Sequence, residues 1–310
     1  MNEPFVGLFP GQLSEKAGMG EALASRHAYV SDTFHEVHRR SGVDLEKTFF
    51  GSGAPGLHDN LPAQVGVFAV SIAVLDVLER EHGTRPAALA GYSLGTYAAF
   101  VAAGVLDRFR ALDILLEVVR LLTETPVDGG MGFVIGLTRD DVNGVVGAIS
   151  TDAAVLSIGN ENAAQQFVLT GEAWAVSKAI DTLRPRALRA ELLPMTWPMH
   201  SPRLVPIAEK LSRFVGAVEK PHGPALYAPM LGREVTTAED AAHVLGQQIA
   251  YPSRWSATLK VMGEAGHRLF VEIGPGDVLT KLLRWTLRSA KGSVADSPES
   301  IAALLTAVPA

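Results

Sequence analysis

The chain of 310 residues is long enough to bury a full hydrophobic core, and we expect one domain with an insertion or two domains. Its 47% hydrophobic and 19% charged residues are typical of a folded protein, and the absence of cysteine excludes disulfides, thiolate zinc sites and a cysteine nucleophile. A net charge of −6 argues against nucleic acid as the main partner. The first residues lack the features of a leader and no run reaches the length of a membrane span, so we expect a cytoplasmic protein with no membrane partner.

The apolar pattern predicts two groups of elements along the chain. The first group contains a strand at 5–9 and helices at 20–42, 61–81 and 107–125. Next come a strand at 131–137, a helix at 139–149, strands at 153–158 and 166–170, a helix at 174–183 and a strand at 190–194. This β-α-β-β-α-β order, over about seventy residues, is typical of a ferredoxin-like domain. After it we expect helices at 203–218 and 238–249, a strand at 268–273, a helix at 278–290, a polar linker at 292–300 and a short final helix.

A Gly-x-Ser-x-Gly segment, Gly91 to Gly95, lies between a short apolar run and an alanine-rich amphipathic run. A strand before it and a helix after it are the context in which such a segment forms a nucleophile elbow. The turn would place the Ser93 hydroxyl at the head of a helix, where the dipole and the free N–H of Leu94 favour an oxyanion. We therefore interpret Ser93 as a nucleophile.

A serine nucleophile needs a base at neutral pH, and histidine is the usual one. His200 is the best candidate among nine histidines, because Pro198 and Pro202 bracket it in an irregular segment between a strand and a helix. His35 and His38 lie three residues apart on a helix, but no third ligand is evident, so we predict no metal site. No phosphate-binding glycine motif is present either, and we expect no cofactor.

Five segments are distributed over essentially the whole chain in the order of one known family. They are Phe9-Pro10-Gly11-Gln12, Gly91-Tyr92-Ser93-Leu94-Gly95, Trp197-Pro198-Met199-His200-Ser201-Pro202, Gln248-Ile249-Ala250-Tyr251-Pro252 and Gly274-Pro275-Gly276-Asp277-Val278-Leu279. The chain thereby resembles the malonyl-CoA:acyl-carrier-protein transacylases and the acyltransferase domains of polyketide and fatty acid synthases. The resemblance implies an α/β fold, with a large α/β-hydrolase-like domain containing a parallel sheet (1–125 and 194–310) and a small inserted ferredoxin-like α+β domain (126–193).

The resemblance also implies roles for individual residues. Ser93 would be acylated with His200 as its base, in a dyad whose histidine is oriented by a backbone carbonyl near Gln248. The backbone N–H groups of Gln12 and Leu94 would form the oxyanion hole. The substrate pocket would be lined by Gln64, Tyr92, Val118, Trp197 and Met199. The implied chemistry is ping-pong: a thioester acylates Ser93, one thiol leaves, and a second thiol takes the acyl group.

One departure from the family pattern concerns the acyl group. Malonyl-specific members place an arginine in the helix after the elbow, where it pairs with the free carboxylate of the substrate. A gapless alignment puts Val118 at that position, and a slip of one residue puts Val119 there, while Arg120 would point about 100° away on the helix. A buried carboxylate facing valine would be uncompensated. We therefore predict an acyl group other than malonyl or methylmalonyl, an aminoacyl or peptidyl group being one option.

The expected partners are an acyl carrier protein with its phosphopantetheine thioester, and acyl-CoA as a further donor. Carrier proteins are acidic, so basic stripes near the cleft would raise the encounter rate. Candidate docking residues are Lys281, Arg284 and Arg288 on one predicted helix and Arg184, Arg186 and Arg189 near the end of the small domain. The sequence leaves two enzymatic functions open: a transacylase in polyketide or fatty acid biosynthesis, and a carrier-protein thioester hydrolase that uses the same acyl-serine for editing.

Overall fold

A computed structural model describes residues 4–125, 127–151 and 154–307. The described strands are β1 (Phe5–Phe9), β2 (Ala88–Gly91), β3 (Gly130–Ile135), β4 (Leu156–Ala163), β5 (Gln166–Gly171), β6 (Arg189–Leu192), β7 (Ala225–Ala228), β8 (Arg233–Glu234), β9 (Leu269–Ile273) and β10 (Lys291–Ala295). The described helices are α1 (Glu21–Arg26), α2 (Ala28–Ser41), α3 (Leu45–Phe49), α4 (Asn60–His82), α5 (Gly95–Ala102), α6 (Arg108–Glu124), α7 (Arg139–Ile149), α8 (Ala173–Leu183), α9 (Val205–Val215), α10 (Ala238–Gln247), α11 (Trp255–Glu264), α12 (Val278–Thr286) and α13 (Pro298–Ala307).

The larger sheet has the strand order β10-β9-β1-β2-β7-β8, and its neighbours are parallel except for β7 and the two-residue β8 at one edge. β1, β2 and β9 are buried along their whole length, as expected for parallel strands covered by helices on both faces. Phe9 and Gly91 are paired across β1 and β2. The loops that leave these two strands therefore start at the same edge of the sheet.

The smaller sheet has the order β4-β5-β3-β6, with antiparallel neighbours throughout. Helices α7 and α8 connect its strands in the β-α-β-β-α-β order, and a separate apolar cluster fills the space between these helices and the sheet. The predicted fold class, a parallel α/β unit with a ferredoxin-like insertion, is thereby confirmed. The predicted insertion bounds of 126–193 stay a prediction, and Pro126, where the insertion would begin, lies outside the described residues.

Several predicted segments are wrong in their bounds or type. The helix predicted at 20–42, for example, is two helices, α1 and α2, with extended backbone at His27 between them. The polar stretch 292–300 is not a linker, since β10 occupies its first part and pairs in parallel with β9. Its small and polar residues have low strand propensity, and the exposed backbone of β9 selects the strand conformation. The strand predicted at 153–158 is instead β4, which starts at Leu156 and continues to Ala163 through two irregularities in register. Ala153 lies outside the described residues.

Helix α4 corrects the expectation that no segment reaches the length of a membrane span. Its 23 residues include a window of mean hydropathy 2.0, and by length and composition it is the one such helix in the described part of the chain. Within the fold, 89% of that window is buried, and its residues form part of the main hydrophobic core. A helix that is apolar on all sides and packed inside protein is a core helix.

A partly buried ion pair connects α4 to the start of α6. Arg108 donates two hydrogen bonds, of 2.5 and 2.8 Å, to the carboxylate of Asp76, whose side chain is only 9% exposed. Replacing Arg108 with leucine leaves that carboxylate buried and unpaired, so we expect a loss of about 3 kcal/mol in the free energy of unfolding, measured by urea titration. Arg120→Leu is the control, because Arg120 is half exposed and pairs with Glu117 and Glu124 at the surface. An equal loss in both variants would contradict this account.

Candidate active site

Ser93 lies in a sharp turn between β2 and α5. Its φ of 53° is in the left-handed region, which is rare for a residue other than glycine and is characteristic of strained functional turns. The turn requires glycine at both flanking positions, 91 and 95, because neither position has room for a side chain. A Cβ on Gly91 would lie 2.3 Å from the backbone of Gly95, and one on Gly95 would lie 2.1 Å from the carbonyl oxygen of Phe9. The strand and helix can therefore approach closely around the serine.

His200 contacts Ser93 directly, although 107 residues separate them in the sequence. The distance from Ser93 Oγ to His200 Nε2 is 2.9 Å. On the other side of the ring, Nδ1 lies 2.9 Å from the carbonyl oxygen of Gln248 and 3.1 Å from that of Tyr251. Two carbonyls can only accept, so Nδ1 carries the proton and Nε2 is free to accept the serine proton.

The backbone of His200 is held as firmly as its ring. Its φ is 62°, and its N–H donates to the carbonyl of Ile249 at 2.7 Å. Strand β4 packs against this segment: a Cβ on Gly159 would lie 3.3 Å from His200 Cβ. The loop that carries Tyr251 is joined to β4 through Ser253, whose N–H and carbonyl pair with Gly159 and Glu161. The smaller sheet therefore helps to fix the imidazole.

Burial sets the charge of the histidine. His200 is only 3% exposed, and this burial lowers its pKa below the usual value of 6.5, while the carbonyls of Tyr251 and Gln248 act in the opposite direction. The imidazole is therefore neutral at physiological pH, which is the form a general base requires.

Two backbone N–H groups beside Ser93 have no acceptor among the described residues: those of Gln12, in the loop after β1, and Leu94, at the head of α5. Both residues line the same cavity as Ser93. The side chain of Gln12 is held by a 3.0 Å hydrogen bond to Asn60 Oδ1. Such a pair of free donors, at the edge where the parallel strands end, can stabilise negative charge on an oxygen bound at Ser93.

The cavity that contains the two side chains has a volume of about 90 Å³ and is open on one side. Its lining residues are Gln12, Leu13, Gln64, Tyr92, Ser93, Leu94, Tyr97, Val118, Met131, Asn160, Val168, Leu193, Met195, Met199, His200, Gln248 and Ile249. None of these described lining residues is a lysine or an arginine. The nearest candidate by sequence, Arg120, lies on the outer face of α6 and pairs with Glu117 and Glu124. Trp197 is half-buried against the main core and is not among the lining residues.

The sequence profile of the acyl transferase domain family matches residues 6–304 of this chain. The chain belongs to that acyltransferase family. It is 31% identical to a malonyl CoA-acyl carrier protein transacylase of Salmonella typhimurium, over 97% of this chain and 99% of that protein. A malonyl-transacylase solved in complex with its type II PKS acyl-carrier protein superimposes with a TM-score of 0.92 at 29% identity, covering 98% of this chain and 99% of that one. The structure of a malonyl CoA-acyl carrier protein transacylase from Coxiella burnetii also superimposes with a TM-score of 0.92. It is 26% identical, and the match covers 99% of this chain and 98% of that one.

The residues next to Gln12 and Ser93 in the sequence form contacts that hold both loops in this acyltransferase. Tyr92 donates a 2.9 Å hydrogen bond to Asn162 of β4 and packs edge-on against Trp255. Burial raises the pKa of Tyr92 to about 12, so its hydroxyl remains a donor. Leu13 has a φ of 73°, and its N–H donates to the buried carboxylate of Glu15 at 2.8 Å. These contacts brace both loops that border Ser93.

Several lining residues of the acyltransferase were not predicted from the sequence. Tyr97 and Ile249 come from the large unit, and Met131, Asn160, Val168, Leu193 and Met195 come from the small sheet and the segment after it. Tyr97 could have been found, because it lies four residues after Ser93 and so about one helical turn beyond it. The small-sheet residues carry no local signal, since only the packing of β3, β4 and β5 against the elbow brings them to the cavity.

The candidate docking residues of the acyltransferase fall into two groups. Arg184, Arg186 and Arg189 are exposed, but each pairs with a carboxylate of the same small domain: Asp181, Asp141 and Glu191. On α12 and just after it, Lys281 pairs with Asp277, whereas Arg284 and Arg288 form no ion pair with any described residue. The charge of α12 is therefore the more available to a partner.

Proposed function

We propose that this acyltransferase moves a short acyl group without a free carboxylate between thioesters, through an ester on Ser93. The proposal rests on the position of Val118 on α6. Its side chain is only 2% exposed and lines the cavity, where a malonyl carboxylate would need a cation. The relatives with malonyl in their names make malonyl the competing substrate. A carboxylate in this lining would find amides and apolar side chains but no guanidinium, at a cost of several kcal/mol.

The chemistry follows from the geometry of the dyad. Ser93 Oγ attacks the thioester carbon while its proton passes to His200 Nε2, and the N–H groups of Gln12 and Leu94 bind the resulting oxyanion. Collapse of this intermediate breaks the carbon–sulfur bond, and the departing thiolate takes the proton from Nε2. A second thiol then gives its proton to Nε2 and attacks the ester carbon. When this intermediate collapses, the bond between the carbon and Ser93 Oγ breaks, the thiol keeps the acyl group, and Ser93 Oγ takes the proton back from Nε2.

The cavity volume limits the size of the acyl group. About 90 Å³ is less than the roughly 150 Å³ of an apolar cavity that holds benzene. A chain of a few carbon atoms fits this space, whereas a peptidyl group would have to remain in the open part of the cleft. The lining is mostly apolar, which favours a neutral group.

We take an acyl carrier protein as one thioester partner, with acyl-CoA as the other donor, because relatives along the full length of the chain carry these partners in their names. Fatty acid or polyketide synthesis is the corresponding setting, and the cytoplasmic location stays a prediction. To test transfer, the enzyme is first acylated on Ser93 and freed of donor, and then mixed with holo-carrier protein or with buffer alone. We expect rapid discharge to the carrier and slow discharge to water. Equal rates of discharge would instead identify the thioester hydrolase.

The basic face of α12 is the proposed contact for the carrier protein. Arg284 is followed on α12 by Trp285, which is 71% exposed, and Arg288 lies just after the helix, so this end of α12 combines positive charge with an exposed apolar side chain. An acidic partner with an apolar patch would be attracted to it.

We expect Arg284→Glu to lower kcat/KM for transfer to the carrier protein about 10-fold, and less so at high salt, because it reverses one charge of the docking face. Acylation of Ser93 by a small thioester should not change. The matched control is Arg213→Glu, which makes the same charge reversal at an exposed position of α9. A loss of carrier transfer in both variants, or a loss of both reactions in Arg284→Glu, would contradict the docking role.

A further inference from the structure

The hydroxyl of Tyr97 is buried in the cavity and has no hydrogen-bond partner among the described residues. Tyr97 is only 3% exposed, and burial raises its pKa, so the hydroxyl keeps its proton and remains a donor. The side chain of Gln248 lies close enough to lower that pKa, but by distance and angle it forms no hydrogen bond with Tyr97, and its Oε1 accepts one from Thr96 at 3.0 Å. A buried hydroxyl without a partner costs stability. Six other buried side-chain groups of the described residues also lack a partner, but none of them lines this cavity.

Two amides line the same cavity and are similarly free. Asn160, on β4, is 2% exposed, and Gln64, on α4, is 5% exposed. Neither side chain forms a hydrogen bond to a residue within the described ranges, whereas the neighbouring Asn162 accepts from Tyr92. Each amide offers both a donor and an acceptor. Three buried polar groups from three different elements therefore face a space otherwise bordered by Val118, Val168 and several methionines and leucines.

We propose that the acyl group carries a neutral hydrogen-bonding function, a hydroxyl, and that Tyr97 is the residue that selects it. This inference rests on the proposed function, since it names the class of acyl group that the carboxylate-excluding cavity takes. A hydroxyl both donates and accepts, so it can pair with the Tyr97 hydroxyl and with the amide of Asn160 or Gln64. An unsubstituted acyl chain would leave all three groups without partners, and a site built in this way discriminates strongly against an analogue that lacks the polar atom.

The test compares 3-hydroxybutyryl and butyryl pantetheine thioesters, which share a carbon skeleton and differ by one hydroxyl. We measure kcat/KM for acylation of Ser93 by intact mass, in the wild type and in Tyr97→Phe, which deletes only the phenolic oxygen. The wild type should prefer the hydroxyacyl thioester by about 10-fold or more. Tyr97→Phe should lose that preference because the hydroxyacyl reaction slows more than the butyryl reaction. Its thermal stability should be equal or higher, because the deleted hydroxyl has no partner in the free enzyme.

A matched control is Tyr92→Phe, which removes a hydroxyl that already has a partner, Asn162. It should change both reactions by the same factor. A wild-type preference for butyryl, or an equal loss of both reactions in Tyr97→Phe, would overturn the role of Tyr97 while leaving the proposed function intact. Faster acylation by malonyl than by either neutral thioester would instead refute the proposed function.

Discussion

We expect His200→Gln to lower the rate of Ser93 acylation about 1,000-fold or more, because no other base among the described residues lies within hydrogen-bond distance of the serine oxygen.

The wild-type rate of acylation should depend on pH through the charge of His200. Only the neutral imidazole accepts the serine proton, so kcat/KM rises with pH as His200 loses its proton and is constant above its pKa. Burial lowers the pKa of His200 below 6.5, and the half-maximal rate should therefore occur at a pH below 6.5.

The measurement is single-turnover acylation followed by mass spectrometry between pH 4.5 and 8. The residual rate of His200→Gln should lack the acidic inflection, and Ser93→Ala should give no adduct. A wild-type inflection at pH 7 or above would show that the histidine is not buried as a neutral base. A His200→Gln enzyme with the wild-type rate would remove the dyad from the mechanism.

Val118→Arg should raise kcat/KM for malonyl-CoA about 100-fold, because it supplies the cation that the cavity lacks and allows a charge-assisted pair with the free carboxylate. The same change should slow acylation by isovaleryl-CoA, in which an isopropyl group replaces the carboxylate at similar volume. Val118 lines the cavity from α6, so an arginine there would begin next to the bound acyl group.

The control for this change is Val118→Met, which adds length without charge. It should reduce acylation by both thioesters through loss of space and should leave the malonyl preference unchanged. Circular dichroism and thermal melts confirm that each variant folds, since Val118 is buried. If Val118→Arg folds and malonyl acylation does not increase, the position of the missing guanidinium has been wrongly assigned.

The parts of the site that the sequence could predict are those with a local signal. Ser93 lies in a motif whose glycines are required by close backbone contacts, and His200 lies between two prolines in an irregular segment. The valine at position 118 could also be identified, because the resemblance to the family gives the place of the arginine in malonyl-specific members and a gapless alignment puts Val118 there. These signals depend on residues within a few positions of each other.

Features that depend on tertiary packing could not be predicted from the sequence. The polar strand β10 forms because β9 offers it a free edge, and β4 extends to Ala163 through asparagines that have low strand propensity. Asn160 reaches the cavity only because that strand packs beside His200. Trp197, the bulky first residue of the histidine segment, is predicted to line the pocket but packs against the main core and is not among the lining residues. No local pattern distinguishes these two outcomes.

The most direct test of the central claim is a competition for Ser93. Wild-type enzyme is mixed with equal concentrations of malonyl-CoA and of acetyl-, butyryl- and isovaleryl-CoA, whose esters all differ in mass, and the mass of the Ser93 peptide is recorded before the first turnover is complete. We expect a neutral acyl ester on Ser93 and malonyl adduct at or below about one-hundredth of it. A malonyl ester as the main adduct would contradict the account.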